Sequence, residues 1–222
     1  MTGPHESLAL LAIASYFIGA LPFGLLFGKL RGVDIREHGS RNIGASNAGR
    51  VLGRGYFAIV MTLDLLKSLI PMAIASAIVQ TKIPWDQRTQ TTYWLWIGVG
   101  LAAILGHVFP VYLKFRGGKG VATSAGVILG LWPYFTLAGL VAVVTFVSVV
   151  KLTKYISLSS IAAAVAFPIA YVTLGIVRDW DLMGRQRPLG IVALLISGLV
   201  IWRHRENIHR LRHGNENKVR AA

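Results

Sequence analysis

Six apolar blocks separated by short polar stretches set the pattern of this chain: Leu8–Leu30, Phe57–Val79, Tyr93–Leu113, Val121–Val150, Ile156–Val177 and Leu189–Trp202. Continuous apolar runs of about twenty residues predict membrane-crossing helices, whereas a membrane barrel would need ~10-residue alternating segments. The expected fold class is all-α, a polytopic membrane protein. The fourth block is too long for one span of ~20 residues and too short for two ordinary ones. Trp132-Pro133 sits near its middle, where proline breaks a helix and tryptophan favours the membrane interface.

Charge decides how to count that block. Taken as a hairpin of two short helices, it gives about seven spans with the N-terminus outside and the C-terminus cytoplasmic. Seventeen Lys and Arg then lie inside, including Lys29 to Arg54, Lys114 to Lys119 and those after Trp202, and five lie outside. Taken as one helix, it splits the charges twelve against ten. The positive-inside bias favours seven. This topology puts every polar, glycine-rich segment on one side, which suggests one composite site and a single domain over residues 1–222.

Composition agrees. Of 222 residues, 54% are hydrophobic and 14% charged, against about 25% charged in soluble domains. The net charge of +14 reads as the inside bias plus attraction to anionic lipid rather than to nucleic acid. With no cysteine, disulfides, thiolate metal sites and a cysteine nucleophile are excluded. No Lys or Arg precedes the first apolar run, so that run is expected to be a permanent span rather than a signal peptide. The last stretch, NENKVRAA, reads as a frayed end to a basic cytoplasmic tail covering about residues 205–222.

Candidate chemistry sits in the polar stretches. HGSRNIGASNAGR, from His38 to Arg50, combines glycines that permit close backbone approach with Ser, Asn and Arg donors suited to phosphate. A flexible interhelical loop has the same composition. FRGGKG places Lys119 at a predicted helix start, a ready anion site, although it is no Walker A loop because Gly120 follows Lys119. Asp64 and Lys67 lie inside the second block at i, i+3 spacing and are expected to pair and support the neighbouring loop. Ala20, Gly24 and Gly28 read as a packing stripe. Among the histidines, His204 leaves the last block beside Arg203, Arg205 and Asn207. His107 reads as a packing residue, and His209, His213, Arg210 and Arg212 as a solvated basic face. No spacing of His or acids fits a zinc or magnesium site.

Together these segments resemble the acyl-phosphate-dependent glycerol-3-phosphate acyltransferases of bacterial membranes. The resemblance runs through ALPFGLLFGKLRGVDIREHGSRNIGASNAGRVLGR, LDLLKS, GHVFPVYLKFRGGKGVATSAGV, YISLSS and RHRENIHRLRHGNENK. Ser40, Asn42, Gly44, Asn47 and Arg50 match the first motif, Gly117, Gly118, Lys119 and Gly120 the second, and His204, Glu206 and Asn207 the third. The chain departs from the family at Arg41 and Ser68, where glycine is common, and at Ser46, where threonine is common.

The resemblance implies transfer of an acyl group from acyl phosphate to the 1-hydroxyl of glycerol 3-phosphate, giving lysophosphatidate and inorganic phosphate. Ser40, Lys119, His204 and Asn207 are the implied catalytic residues. Ser40, Asn42, Gly44, Asn47, Arg50, Gly117, Gly118, Lys119, Gly120, Ser157, His204 and Asn207 are the implied substrate-binding residues. Backbone N–H groups from Ser40 to Gly44 could steady the oxyanion. His204 or the departing phosphate takes the proton. No cofactor or metal is implied. The setting is the bacterial inner membrane with a cytoplasmic site, open to a transient contact with the soluble enzyme that makes acyl phosphate. Two rival classes are an anion transporter, which needs polar groups through the membrane, and a CDP-alcohol phosphotransferase, which needs an array of aspartates.

Overall fold

A computed structural model describes residues 3–218. Its helices are α1 (Pro4–Gly19), α2 (Phe23–Leu30), α3 (Ala45–Leu52), α4 (Arg54–Lys82), α5 (Gln90–Val108), α6 (Val121–Gly130), α7 (Tyr134–Thr153), α8 (Ile156–Val177), α9 (Arg187–Arg203) and α10 (Arg205–Arg212). Among the described residues there is no strand.

Five segments are long and apolar enough to cross a membrane: Pro4–Leu30, α4, Gln90–Leu113, α7 and α8. A sixth appears if α9 and α10, bent by 54° at His204, form one broken span. The remaining expected span is α6, whose ten residues cover about 15 Å, half of a ~30 Å hydrocarbon layer. The thirty-residue block thus divides unequally, into a short helix and the 20-residue α7.

The chain packs as two units, Met1–Leu131 and Trp132–Ala222. In the first, α4 is the centre, with α1, α3, α5 and α6 against it. In an apolar medium the glue between helices is hydrogen bonding and close backbone approach. Ser68 Oγ on α4 donates to Thr123 O (2.7 Å), and Thr123 Oγ1 donates back to Asp64 O (3.0 Å). At the far end of α6, Ser76 Oγ donates to the terminal Gly130 carbonyl (2.6 Å) and accepts from Trp96 Nε1 (3.0 Å). These two contacts place the head of α6 level with Asp64 and its tail level with Ser76.

The first apolar block is broken. Pro22 separates α1 from α2, and a neighbouring helix must then satisfy the released carbonyls. Lys67 Nζ, on α4, donates to Leu21 O (3.1 Å). The expected stripe of small residues does pack closely, but against a loop. Added Cβ atoms at Gly24 and Gly28 would overlap the Ile43 and Val33 carbonyls. In the second unit α8 lies between α7 and α9, and α10 returns to touch α8 and α9. Phe135 meets Phe167 and Tyr171 edge-on in its interior.

Candidate functional site

In the first unit, the loop before α3 is tied by one side chain. Asn47 Oδ1 accepts from Ser40 N (2.8 Å), and its Nδ2 donates to Ile35 O (2.7 Å) and His38 O (3.1 Å). Only 1% of Asn47 is exposed. Gly39, at φ +61°, sits against this clamp, and a Cβ there would overlap Asn47 Oδ1. Asn42 Oδ1 accepts from Gly44 N (2.9 Å), and Arg41 N donates to His38 O (3.0 Å). The N–H groups of Ser40, Arg41 and Gly44 are therefore engaged inside the loop. Arg41 holds φ +56°, the left-handed region. That is the physical reason glycine suits this position. Ser40 is half-buried, and Arg50, on α3, is exposed.

Asp64 and Lys67 form the expected buried pair, Nζ to Oδ1 at 2.9 Å. The pair has a third member. His107 Nδ1 lies 2.7 Å from Lys67 Nζ and 3.8 Å from Asp64 Oδ1, and the three residues are 3–6% exposed. His107 is thus more than packing, and its proximity to Lys67 was invisible at forty residues' separation.

The FRGGKG turn is built on the same histidine. Gly118 N donates to His107 O (3.0 Å) and Gly117 N to Val108 O (3.1 Å). A Cβ on Gly118 would overlap the His107 ring. Gly120, at φ +81°, caps α6, with half-buried Lys119 just ahead of it. The turn therefore lies level with Asp64, ten residues or about 15 Å along α4 from Arg54. It is recessed. An α6 that starts this deep needs only ten residues to come level with Ser76.

The second unit carries Ser157, His204 and Asn207. His204 ends α9 and starts α10, is buried, and shares a hydrogen bond of 2.7 Å between Nδ1 and Val200 O. A carbonyl can only accept, so Nδ1 carries the proton and Nε2 is the acceptor. Sequence reading found no acid to orient His204; a backbone carbonyl does it.

Ser157 Oγ and Asn207 Nδ2 both donate to Glu216 Oε1 (2.9 and 2.7 Å), and Arg210 Nε donates to Glu216 Oε2 (2.8 Å). Two expectations are corrected here. Glu216 is not part of a frayed end but is 8% exposed, and Arg210 is bonded rather than freely solvated. Residues 219–222 of that tail lie outside the described residues. Burial alone would raise the Glu216 carboxyl, but donors from Arg210, Asn207 and Ser157 together hold it below the usual range. Sequence reading missed Glu216 because burial of a tail acid leaves no periodic signal. Glu206 stays exposed on α10.

The family described as Glycerol-3-phosphate acyltransferase matches residues 9–214. A glycerol-3-phosphate acyltransferase of Geobacter sulfurreducens is 42% identical over 213 residues, 96% of this chain and 97% of that protein. One from Staphylococcus aureus is 43% identical over 209 residues, 94% of this chain and 96% of that protein. Among solved structures, PlsY, an integral membrane glycerol 3-phosphate acyltransferase, superposes in its glycerol 3-phosphate form with TM-score 0.79 at 34% identity, covering 96% of each chain. Its lysophosphatidic acid form superposes with TM-score 0.76 at the same identity and coverage.

Proposed function

The chain belongs to the glycerol-3-phosphate acyltransferase family of integral membrane enzymes, and from that premise we propose that its acyl donor is an acyl phosphate. The observation that carries this reading is the recessed Gly117–Gly120 turn at the head of α6. Lys119 and the N-terminus of α6 would make a compact anion site below the polar surface. A donor with a small phosphate head and a lipid tail suits that depth. A coenzyme A or acyl-carrier-protein donor would need a nucleotide site or a docking surface on loops that are short here.

In this scheme Lys119 and Arg50 hold phosphoryl oxygens, while Asn42 and Asn47 shape the loop that presents Ser40. Glycerol 3-phosphate is the acceptor, handled by Ser157, His204 and Asn207. His204 and Asn207 orient the acceptor, and its 1-hydroxyl keeps its proton for the departing phosphate. A carbon–oxygen bond forms to the hydroxyl oxygen, the anhydride carbon–oxygen bond breaks, and inorganic phosphate leaves with the hydroxyl proton. Because the anhydride is already activated, positioning and charge stabilisation supply the rate.

The Lys and Arg bias puts the motif loops on the cytoplasmic side of a bacterial inner membrane, within reach of a soluble enzyme that supplies acyl phosphate. Purified protein given palmitoyl phosphate and labelled glycerol 3-phosphate in detergent should form labelled lysophosphatidate. Acyl-CoA and acyl-carrier protein of matched chain length should not support turnover. Comparable kcat/KM with acyl-CoA would overturn the donor assignment.

A further inference from the structure

Lys67 is a charged side chain buried within α4. Its ammonium has three hydrogens and no acceptor. Nζ stands 2.9 Å from Asp64 Oδ1, 3.1 Å from Leu21 O and 2.7 Å from His107 Nδ1. Three acceptors engage the three hydrogens, which leaves none for a substrate phosphate. A charge inside a membrane helix is costly, and a buried ion pair is weak evidence for stability. A serine or threonine hydroxyl would satisfy one released carbonyl at lower cost. The position of Lys67 supplies a different reason for it.

Lys67 grips the chain on both sides of the Pro22 break. Before the break, Leu21 O accepts its hydrogen bond; after it, the Phe23 ring centroid lies 5.9 Å from Nζ, within cation–π reach. The helix that leaves the break is α2, and α2 is the bed of the loop that bears Ser40. Gly24 and Gly28 leave no room for a Cβ beside the Ile43 and Val33 carbonyls, and Val33 N donates to Gly28 O (2.9 Å). Leu25 packs with Ile35 and Ile43, while Phe23 and Phe27 pack on Ala45, Ala48 and Val60. Both stems of the loop and the head of α3 thus rest on an eight-residue helix. Such a helix spans about 12 Å, so a tilt of about 10° at Pro22 carries its far end about 2 Å. A misplacement of about 1 Å can cost a hundredfold in rate.

We propose that Lys67 is a positioning residue, holding the angle of α2 at the Pro22 break and, through α2, the place of the Ser40 loop. This rests on the reading that the loop serves the reaction, and it holds whichever substrate the loop meets.

Two neutral pairs isolate the contact. Asp64→Asn with Lys67→Met strands no charge and gives up the donor to Leu21 O. Asp64→Asn with Lys67→Gln keeps an amide donor on a side chain one atom shorter. The chain has no cysteine, so spin labels on Glu37→Cys and Thr91→Cys, both exposed positions, report the loop against the first turn of α5. Labels on Thr81→Cys and Thr91→Cys report the same unit away from the break. At a temperature well below every Tm, the methionine pair should shift or broaden the 37–91 distances by about 2 Å or more and leave the 81–91 distances unchanged. Its kcat with palmitoyl phosphate and labelled glycerol 3-phosphate should fall about tenfold or more. The glutamine pair should recover part of both.

Wild-type 37–91 distances in the methionine pair would overturn the proposal. So would a displaced loop at the wild-type kcat, or an equal loss in the glutamine pair, which would make removal of the charges the cause. If the methionine pair does not fold, Gly24→Ala carries the test, because its Cβ pushes α2 from Ile43 with Lys67 intact. It should reproduce the displaced loop and the lost rate, and wild-type values in it overturn the proposal. A wild-type protein idle with palmitoyl phosphate refutes the donor reading alone, and Ser40→Ala at the wild-type rate refutes the role of the loop alone. In either case the label distances still decide whether Lys67 sets the loop's place.

Discussion

Replacing Glu216 with alanine tests how the second unit holds its polar end. The substitution removes the shared acceptor of Ser157, Asn207 and Arg210. A hydrogen bond to a charged group contributes about 1.5–3 kcal/mol, and the two neutral donors are both buried. The Arg210 pair is worth less, under about 1 kcal/mol, because that guanidinium is partly exposed. Losing the order of Asn207 alone should cost tenfold to a hundredfold in kcat/KM. Arg210→Ala should cost about two- to fivefold, and Arg212→Ala, on an exposed side chain, close to nothing. Initial rates with labelled glycerol 3-phosphate, beside Tm in detergent, read all three. The sign of the pH effect is also set. Glu216 has a lowered pKa in the folded protein, so its contribution is fully present above the ordinary carboxylate value of 4.5 and is lost as pH falls through the lowered one. In Glu216→Gln that acid-limb loss of stability should vanish. A Glu216→Ala protein with wild-type rate and Tm would refute the reasoning.

Four other outcomes follow from the same geometry. Lys119→Ala and Arg50→Ala should each lose about 1.5–3 kcal/mol of charge-assisted contact, tenfold to over a hundredfold in kcat/KM; unchanged kinetics in either would remove that residue from the site. Lys67→Met should destabilise the protein by about 3–5 kcal/mol by stranding Asp64, and Asp64→Asn with Lys67→Met should recover part of it, as read by denaturation midpoints; a double variant worse than the single one would contradict the pairing. Arg41→Gly should raise Tm by about 2–4 °C, because relief of a left-handed residue (about 1–2 kcal/mol) exceeds the added freedom of the unfolded chain; a lowered Tm would show that the Arg41 side chain has a role of its own. His204→Gln should keep a few per cent of activity if His204 orients the hydroxyl, whereas complete loss with normal glycerol 3-phosphate binding would make it the base.

Apolar periodicity carried the helices well. The Ile156–Val177 block coincides with α8, and the break beside Trp132-Pro133 separates α6 from α7. The Asp64–Lys67 pair was legible because both ends sit three residues apart on one helix. The break at Pro22 was not read, because apolar residues continue on both sides and the partner that makes it tolerable, Lys67, is forty-five positions away. The same limit hid His107 and Glu216. Each acquires its role from contacts across dozens of residues or from burial of a charged group, and neither leaves a local pattern. The positive φ at Arg41 is the opposite case: the resemblance marked the position as one where glycine is expected, and only the backbone showed why.

The depth of the Gly117–Gly120 turn has a consequence for ionic strength. α4 has 29 residues, about 43 Å, which exceeds a ~30 Å hydrocarbon layer by about 13 Å. Even if all of that excess projected beyond Arg54, a turn about 15 Å along the helix would still lie at the hydrocarbon boundary or beneath it. Mobile ions screen exposed charges over about 8 Å at physiological salt but are largely kept out of so deep a position. In the proposed site, a phosphate held by Lys119 and the helix N-terminus would therefore be screened less by dissolved salt than one held by an exposed lysine.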